Sequence, residues 1–233
     1  MKHSLIIILM IWTTLAAGNE KVALTMITGD VKIRRGLDEE WRPASSGTIL
    51  DTIDSILTGE GEAVLELPDG RTFRISSQTI LDIADLRLIT EQELFLLLMS
   101  DKIQKMPKRS DKTKLEIGDI NVVHGSSQQD AATQKKEDSK RELWQMEKNG
   151  VIALYNQDFT PNAILKINNI LAKYPEIEDC GEIYSYLGNS FEKLDKPGQA
   201  IDAYKMVIAN SCDSEDSLKR KHAAEMAIQK LER

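Results

Sequence analysis

Asp51 and Asp54, three histidines and two cysteines are the residues of this 233-residue chain whose types could do chemistry. Asp51-Thr52-Ile53-Asp54 has the look of a carboxylate pair, the arrangement that shares general-acid and general-base work. It falls, however, between Gly47 and Thr58-Gly59 in a run of turn residues. There an aspartate normally accepts hydrogen bonds from backbone amides. His3, His124 and His222 are scattered, with no HxxxH, CxxC or EF-hand spacing to hold a metal. No G-x-S-x-G, phosphate-binding loop or G-x-G-x-x-G occurs. The expectation is a protein that is not an enzyme, with no catalytic residue, no metal and no cofactor.

The elements around these residues set the frame. Net charge is −7 and aromatics are 5%, which argues against a nucleic-acid partner, base stacking or a sugar-binding platform. At the N-terminus Lys2 precedes an apolar run over 5–15, and Ala16-Ala17-Gly18 suits signal peptidase. This predicts a signal peptide at 1–18 and a mature chain from Asn19, periplasmic or secreted, with no stable membrane span after cleavage. The alternative is an uncleaved anchor. No cysteine follows the small residues, so a lipid anchor is not expected. In an exported chain, Cys180 and Cys212 read as a disulfide.

Over residues 19–125 the pattern has period two with glycine and aspartate punctuation. Val22, Leu24 and Met26 alternate, then Val31 and Ile33; Ala63, Leu65 and Leu67 share one side, and Phe73 and Ile75 return to it after Pro68-Asp69-Gly70. The fold class expected is multi-domain: an all-β N-terminal domain, a sandwich or roll of short strands, followed by an all-α C-terminal domain. Residues 126–141 are polar without periodicity and read as a linker. From 142 the period becomes helical through 233. A basic run over 101–114, six basic residues against two acidic, reads as a solvated loop or hairpin whose lysines guard a strand edge. Contact with an anionic headgroup, polysaccharide or acidic protein is the other reading.

The helical half carries a resemblance. YSYLGNSFEKLDKPGQAIDAYKMVIANSC resembles a tetratricopeptide repeat, a helix pair of about 34 residues. Leu187-Gly188, Phe191, Ala200, Tyr204 and Val207 fill its places, and Cys212 stands where a proline usually lies. The unit before it, with Tyr155, Ala163, Ile167, Ile170 and Pro175, fits more loosely because its step from Phe159 to Ala163 is wider. Residues 217–233 would be the solvating cap helix. The resemblance places Cys180 and Cys212 at adjoining ends of one hairpin, where a bridge would stabilise the stack by roughly 3–4 kcal/mol. It implies a concave binding face, with Asn149, Asn156 and Gln157 from the first unit and Ser185, Asn189, Glu192 and Lys193 from the second. Such amides and charges suit a peptide or protein partner.

The first half resembles the FecR domain, a periplasmic module of bacterial signalling proteins. GDVKIRR is followed by WRPASSGTILDTIDSILTGEGEAVLELPDGRTFRISSQTILDI. Ala44, Gly47, Leu50, Asp54, Ile56, Thr58, Gly59, Asp69, Gly70, Thr79, Leu81 and Ile83 match the family pattern, and His124 stands where arginine is frequent. Family members carry a cytoplasmic sigma-regulating segment. Here four residues precede the apolar run, so that activity is not expected. The resemblances together imply an exported scaffold, its FecR-like domain docking to a cell-envelope component and its repeats recruiting a peptide or protein. The alternative is a ligand- or signal-sensing component working through a separate membrane protein, with a small molecule or glycan as ligand.

Overall fold

The computed structural model describes residues 21–105 and 129–233, with side chains over 21–100 and 137–233. The expected signal peptide at 1–18, the basic run beyond residue 105 and His124 lie outside the described residues.

Two long strands dominate the first part. β1 (Val22–Arg34) and β4 (Ser55–Glu66) pair antiparallel, from Ala23 opposite Glu66 to Arg34 opposite Ser55. The short strands β2 (Arg42–Pro43) and β3 (Ile49–Leu50) flank β1, while β5 (Thr72–Ile75) and β6 (Thr79–Asp82) flank β4. The β1–β4 register shifts at Leu24/Met26 and again at Gly29/Val31, and such bulges bend a ribbon. At the second shift Gly29 opposes Gly61. A Cβ on Gly29 would lie 2.2 Å from the Glu60 carbonyl oxygen, and one on Gly61 would lie 2.3 Å from that of Thr28. The two backbones therefore approach closer than any side chain permits.

The period-two pattern sorts the side chains. Ala63, Leu65, Phe73 and Ile75 are fully buried, whereas Glu62, Glu66, Thr72 and Arg74 are exposed. Burying a side chain such as Phe73 contributes about 1.5–3 kcal/mol. Between β4 and β5 the Gly70 N–H donates to the Leu67 carbonyl at 2.9 Å, and the Asp69 carboxylate accepts from the Arg71 N–H and Nε.

After a 3-10 turn (Ile83–Leu86), six helices follow among the described residues: α1 (Glu91–Lys105), α2 (Gln129–Asn156), α3 (Thr160–Lys173), α4 (Glu182–Lys193), α5 (Pro197–Ala209) and α6 (Glu215–Leu231). Thr90 opens α1 by accepting the Glu93 N–H. In α3, Ala163, Ile164, Ile167 and Ile170 are buried at helical spacing, the stripe that presses a helix onto a core. Short connections at 157–159 and 194–196 fold α2 back on α3 and α4 back on α5. Among the described residues, no helix is long and apolar enough to cross a membrane.

The N-terminal half is not the all-β sandwich or roll expected. Its strands belong to one six-stranded antiparallel sheet, and helices stand where a second sheet would. Phe73 of β5 meets Phe159, between α2 and α3, edge-on at 5.3 Å. At Gly150 the α2 backbone lies directly on β6, for a Cβ there would fall 2.5 Å from the Ile80 carbonyl oxygen. The buried apolar residues form one continuous cluster from Leu24 and Phe73 through Val151 and Ile167 to Tyr204 and Ala224. The architecture is mixed α/β. The polar stretch read as a linker is helical from Gln129 onward. On its part with described side chains, Glu137, Asp138 and Ser139 are exposed, and a solvent-facing stretch of helix needs no apolar stripe.

Candidate binding groove at the seam of sheet and helices

The residues assigned to a concave face separate into two groups. From α2 and its end, the Asn149 amide donates to the Gln78 carbonyl at 2.6 Å. Gln157 accepts from the Arg74 N–H and donates to the Arg74 carbonyl, each at 2.8 Å. Asn156 is exposed. Those on α4 serve the helices themselves. The Ser185 hydroxyl donates to the Gly181 carbonyl one turn back. The Tyr204 hydroxyl, with one proton to give, lies 2.7 Å from the Asn189 Oδ1 and 2.9 Å from a Glu192 oxygen, and Lys230 donates to the other Glu192 oxygen. Burial foremost, then the Glu192 carboxylate, pushes the Tyr204 phenol well above its ordinary range, so it remains a donor. Lys193 donates to the Tyr155 carbonyl and Asp158, its ammonium 4.0 Å from the centre of the Tyr155 ring.

Asn149, Asn156 and Gln157 are brought together, on a groove of about 560 Å³ whose other wall is the β5–β6 turn. Arg74, Ser76, Ser77 and Thr79 line it from the sheet, and Ile152 and Ala153 supply its apolar surface. No carboxylate lines this groove, and among the described residues Arg74 has no ion-pair partner. The exposed Asn156 amide, the Ser76 and Ser77 hydroxyls, one cation and a small apolar patch give donors and acceptors side by side, which an extended peptide backbone requires. The sheet residues carry no signal in the sequence, because they meet α2 only through the tertiary fold.

The carboxylate pair does not act as a pair. The Asp54 carboxylate accepts from the N–H groups of Asp51 and Gly36 and is bridged to Arg35 at 2.6 Å. Burial alone would raise its pKa; the two amides and the guanidinium outweigh that and hold it below the ordinary 3.8. Asp51 is exposed. His222 is exposed beside Glu225 on α6. Among the described residues, no group of three or more His, Cys, Asp or Glu side chains is placed to hold a metal ion.

Cys180 and Cys212 form a disulfide, their Cα atoms 5.1 Å apart, joining the approach to α4 with the exit from α5. Ser217 of α6 extends the junction: its hydroxyl accepts from the Cys212 N–H and donates to the Cys180 carbonyl. Asp179 completes it by accepting the Gly181 and Ile183 N–H groups that open α4.

Comparison of the chain with protein-family models, with curated proteins and with solved structures found no match.

Proposed function

We propose that this chain is an exported, non-enzymatic scaffold of the cell envelope that works by protein–protein contact, built from a FecR-like portion and tetratricopeptide-like hairpins. The groove between the β5–β6 turn and α2 carries the reading, because one surface there draws Arg74, Ser76 and Ser77 from the sheet and Asn149 and Asn156 from a helix. The two halves then act as one composite docking surface for a peptide or protein. The disulfide supports a periplasmic or secreted location, since such bonds persist in oxidising compartments.

A photo-reactive residue placed at Asn156, with a control at His222 on the outer helix, tests the proposal. The expected result is a discrete protein adduct from the envelope fraction at position 156 and none at position 222. Equal labelling at both positions, or none at either, refutes the reading. The second reading, a ligand-sensing component acting through a separate membrane protein, is favoured by a different feature: a cleft bounded by β1, β6, α2 and α3 whose charged side chains sit beside Ile80, Leu143 and Ile170.

A further inference from the structure

We infer that this second cleft binds a neutral saccharide of one or two rings. Its volume is about 320 Å³, at the lower end of small-molecule sites. Arg34 of β1, Asp82 of β6, Asp85 of the 3-10 turn, Glu147 of α2 and Lys166 and Lys173 of α3 all line it, with the indole of Trp41 and the amide of Asn169. The formal charges of the six ionisable groups cancel, so the cleft asks for no net charge in its ligand. An apolar ligand would strip water from the exposed Asp82 and Asn169 without replacing the hydrogen bonds.

The groups are held in place before any ligand arrives. Lys166, 4% exposed, is 2.6 Å from Asp85 and 3.7 Å from Asp82. Asp82 accepts from the Ser55 hydroxyl at 2.6 Å, and Arg34 in turn donates to Ser55 at 3.2 Å. One oxygen of Glu147 takes Lys173 and the Tyr174 hydroxyl. Such fixing lowers the ordering cost of binding.

Bonding capacity remains beyond these contacts. The Asp82 side chain is 51% exposed, and Asn169 is exposed. The second Glu147 oxygen has no hydrogen-bond partner among the described residues. Neighbouring hydroxyls of a sugar ring donate and accept in pairs, which carboxylates, an amide and a guanidinium can meet from fixed planes. The flat C–H face of a sugar ring suits an indole; the Arg34 guanidinium lies over one face of the Trp41 ring, 5.0 Å from its centre, so a sugar would stack on the opposite face. The low aromatic content of the chain argues against a sugar platform; a single indole beside paired polar groups is enough to make one.

The test uses the full chain with glucose, N-acetylglucosamine, their β-linked disaccharides and the 6-sulfate and 6-phosphate of glucose, read by thermal melting and tryptophan fluorescence. At least one of them is expected to raise the melting temperature saturably. Asn169→Ala should melt like the parent without ligand yet bind several-fold more weakly. Trp41→Ala should lose about tenfold in affinity, and Trp41→Phe should retain binding while losing the fluorescence response. The inference is overturned if no saccharide gives a saturable shift at millimolar concentration, or if affinity is unchanged in both Asn169→Ala and Trp41→Ala. Preference for sulfated or phosphorylated sugars would also overturn it, by showing an anion site. Adduct formation at Asn156 bears on the other groove and is unaffected by either outcome.

Discussion

Gln157 holds Arg74 as a neighbouring strand would, its side-chain amide bonded at 2.8 Å to both the N–H and the carbonyl of that residue. β5 is the last strand on its side of the sheet, and an edge left open invites pairing with another chain. The Gln157 side chain, from the turn just after α2, closes it here.

Replacing Gln157 with Leu removes both bonds and should lower unfolding free energy by about 1–3 kcal/mol. Gln157→Glu should cost more, since it sets a carboxylate against the Arg74 carbonyl. Urea denaturation reads the stability and gel filtration the self-association expected of both variants. Parent-like behaviour of Gln157→Leu would show the contact to be incidental.

Gly150 and Gly198 make a matched pair. Both lie in helices, but a Cβ at Gly150 meets the Ile80 carbonyl at 2.5 Å while one at Gly198 meets nothing within 4 Å. Gly150→Ala should therefore destabilise by about 1–3 kcal/mol through overpacking against backbone. Gly198→Ala should be neutral or stabilising by about 0.5–1 kcal/mol. Thermal melts of the two variants decide whether α2 is seated on β6.

Lys166 and Asp85 fasten α3 to the 3-10 turn after the sheet, with side chains 5% and 19% exposed. Burial foremost raises the Asp85 carboxyl, against the pull of the Lys166 ammonium. Lys166→Met should cost about 3–5 kcal/mol, because it strands a buried carboxylate. Lys166→Met with Asp85→Asn should cost less than the two single changes added together. Strict additivity in the double-mutant cycle would deny the coupling.

Reduction of the Cys180–Cys212 bond, or the double Cys→Ser variant, should remove about 3–4 kcal/mol. Because Ser217 bonds to both cysteine backbones, α6 should lose protection from hydrogen exchange before α2 and α3 do. Uniform loss across all helices would contradict that order.

Acid should weaken the sheet through Asp54. Its carboxyl is depressed below 3.8 in the folded chain, so its contribution is complete above that unfolded value and fades as pH falls through the lower folded one. Asp54→Asn should be less stable at neutral pH and show a shallower decline over the acid limb. Parallel pH profiles for parent and variant would rule out the linkage.

Much of the strand pattern was legible because burial alternates with sequence: Leu65 and Phe73 are inside, Glu66 and Arg74 outside. Alternation reports which face is covered and says nothing of what covers it, so a sandwich and a helix-covered sheet look alike until Gly150 and Phe159 are seen against β6 and β5. The opening of α1 had a usable signal, Thr90 followed three residues later by Glu93, the pattern of a capping box. The start of α2 had one too, a run of alanine, glutamine, lysine and glutamate with high helix propensity. Apolar periodicity reports neither, because a cap and a polar helix end bury no apolar stripe. The groove was half readable: Asn149, Asn156 and Gln157 share a face by helical spacing, whereas Arg74, Ser76 and Ser77 join them through contacts that no local pattern encodes.

The crossing of Gly29 and Gly61 ties the fates of two distant positions in the chain. Since the space denied to each is filled by the main chain beside the other, neither can drift alone during evolution without the hinge of the ribbon being rebuilt. Descendants of this molecule should either inherit both or have remade the bend by another route.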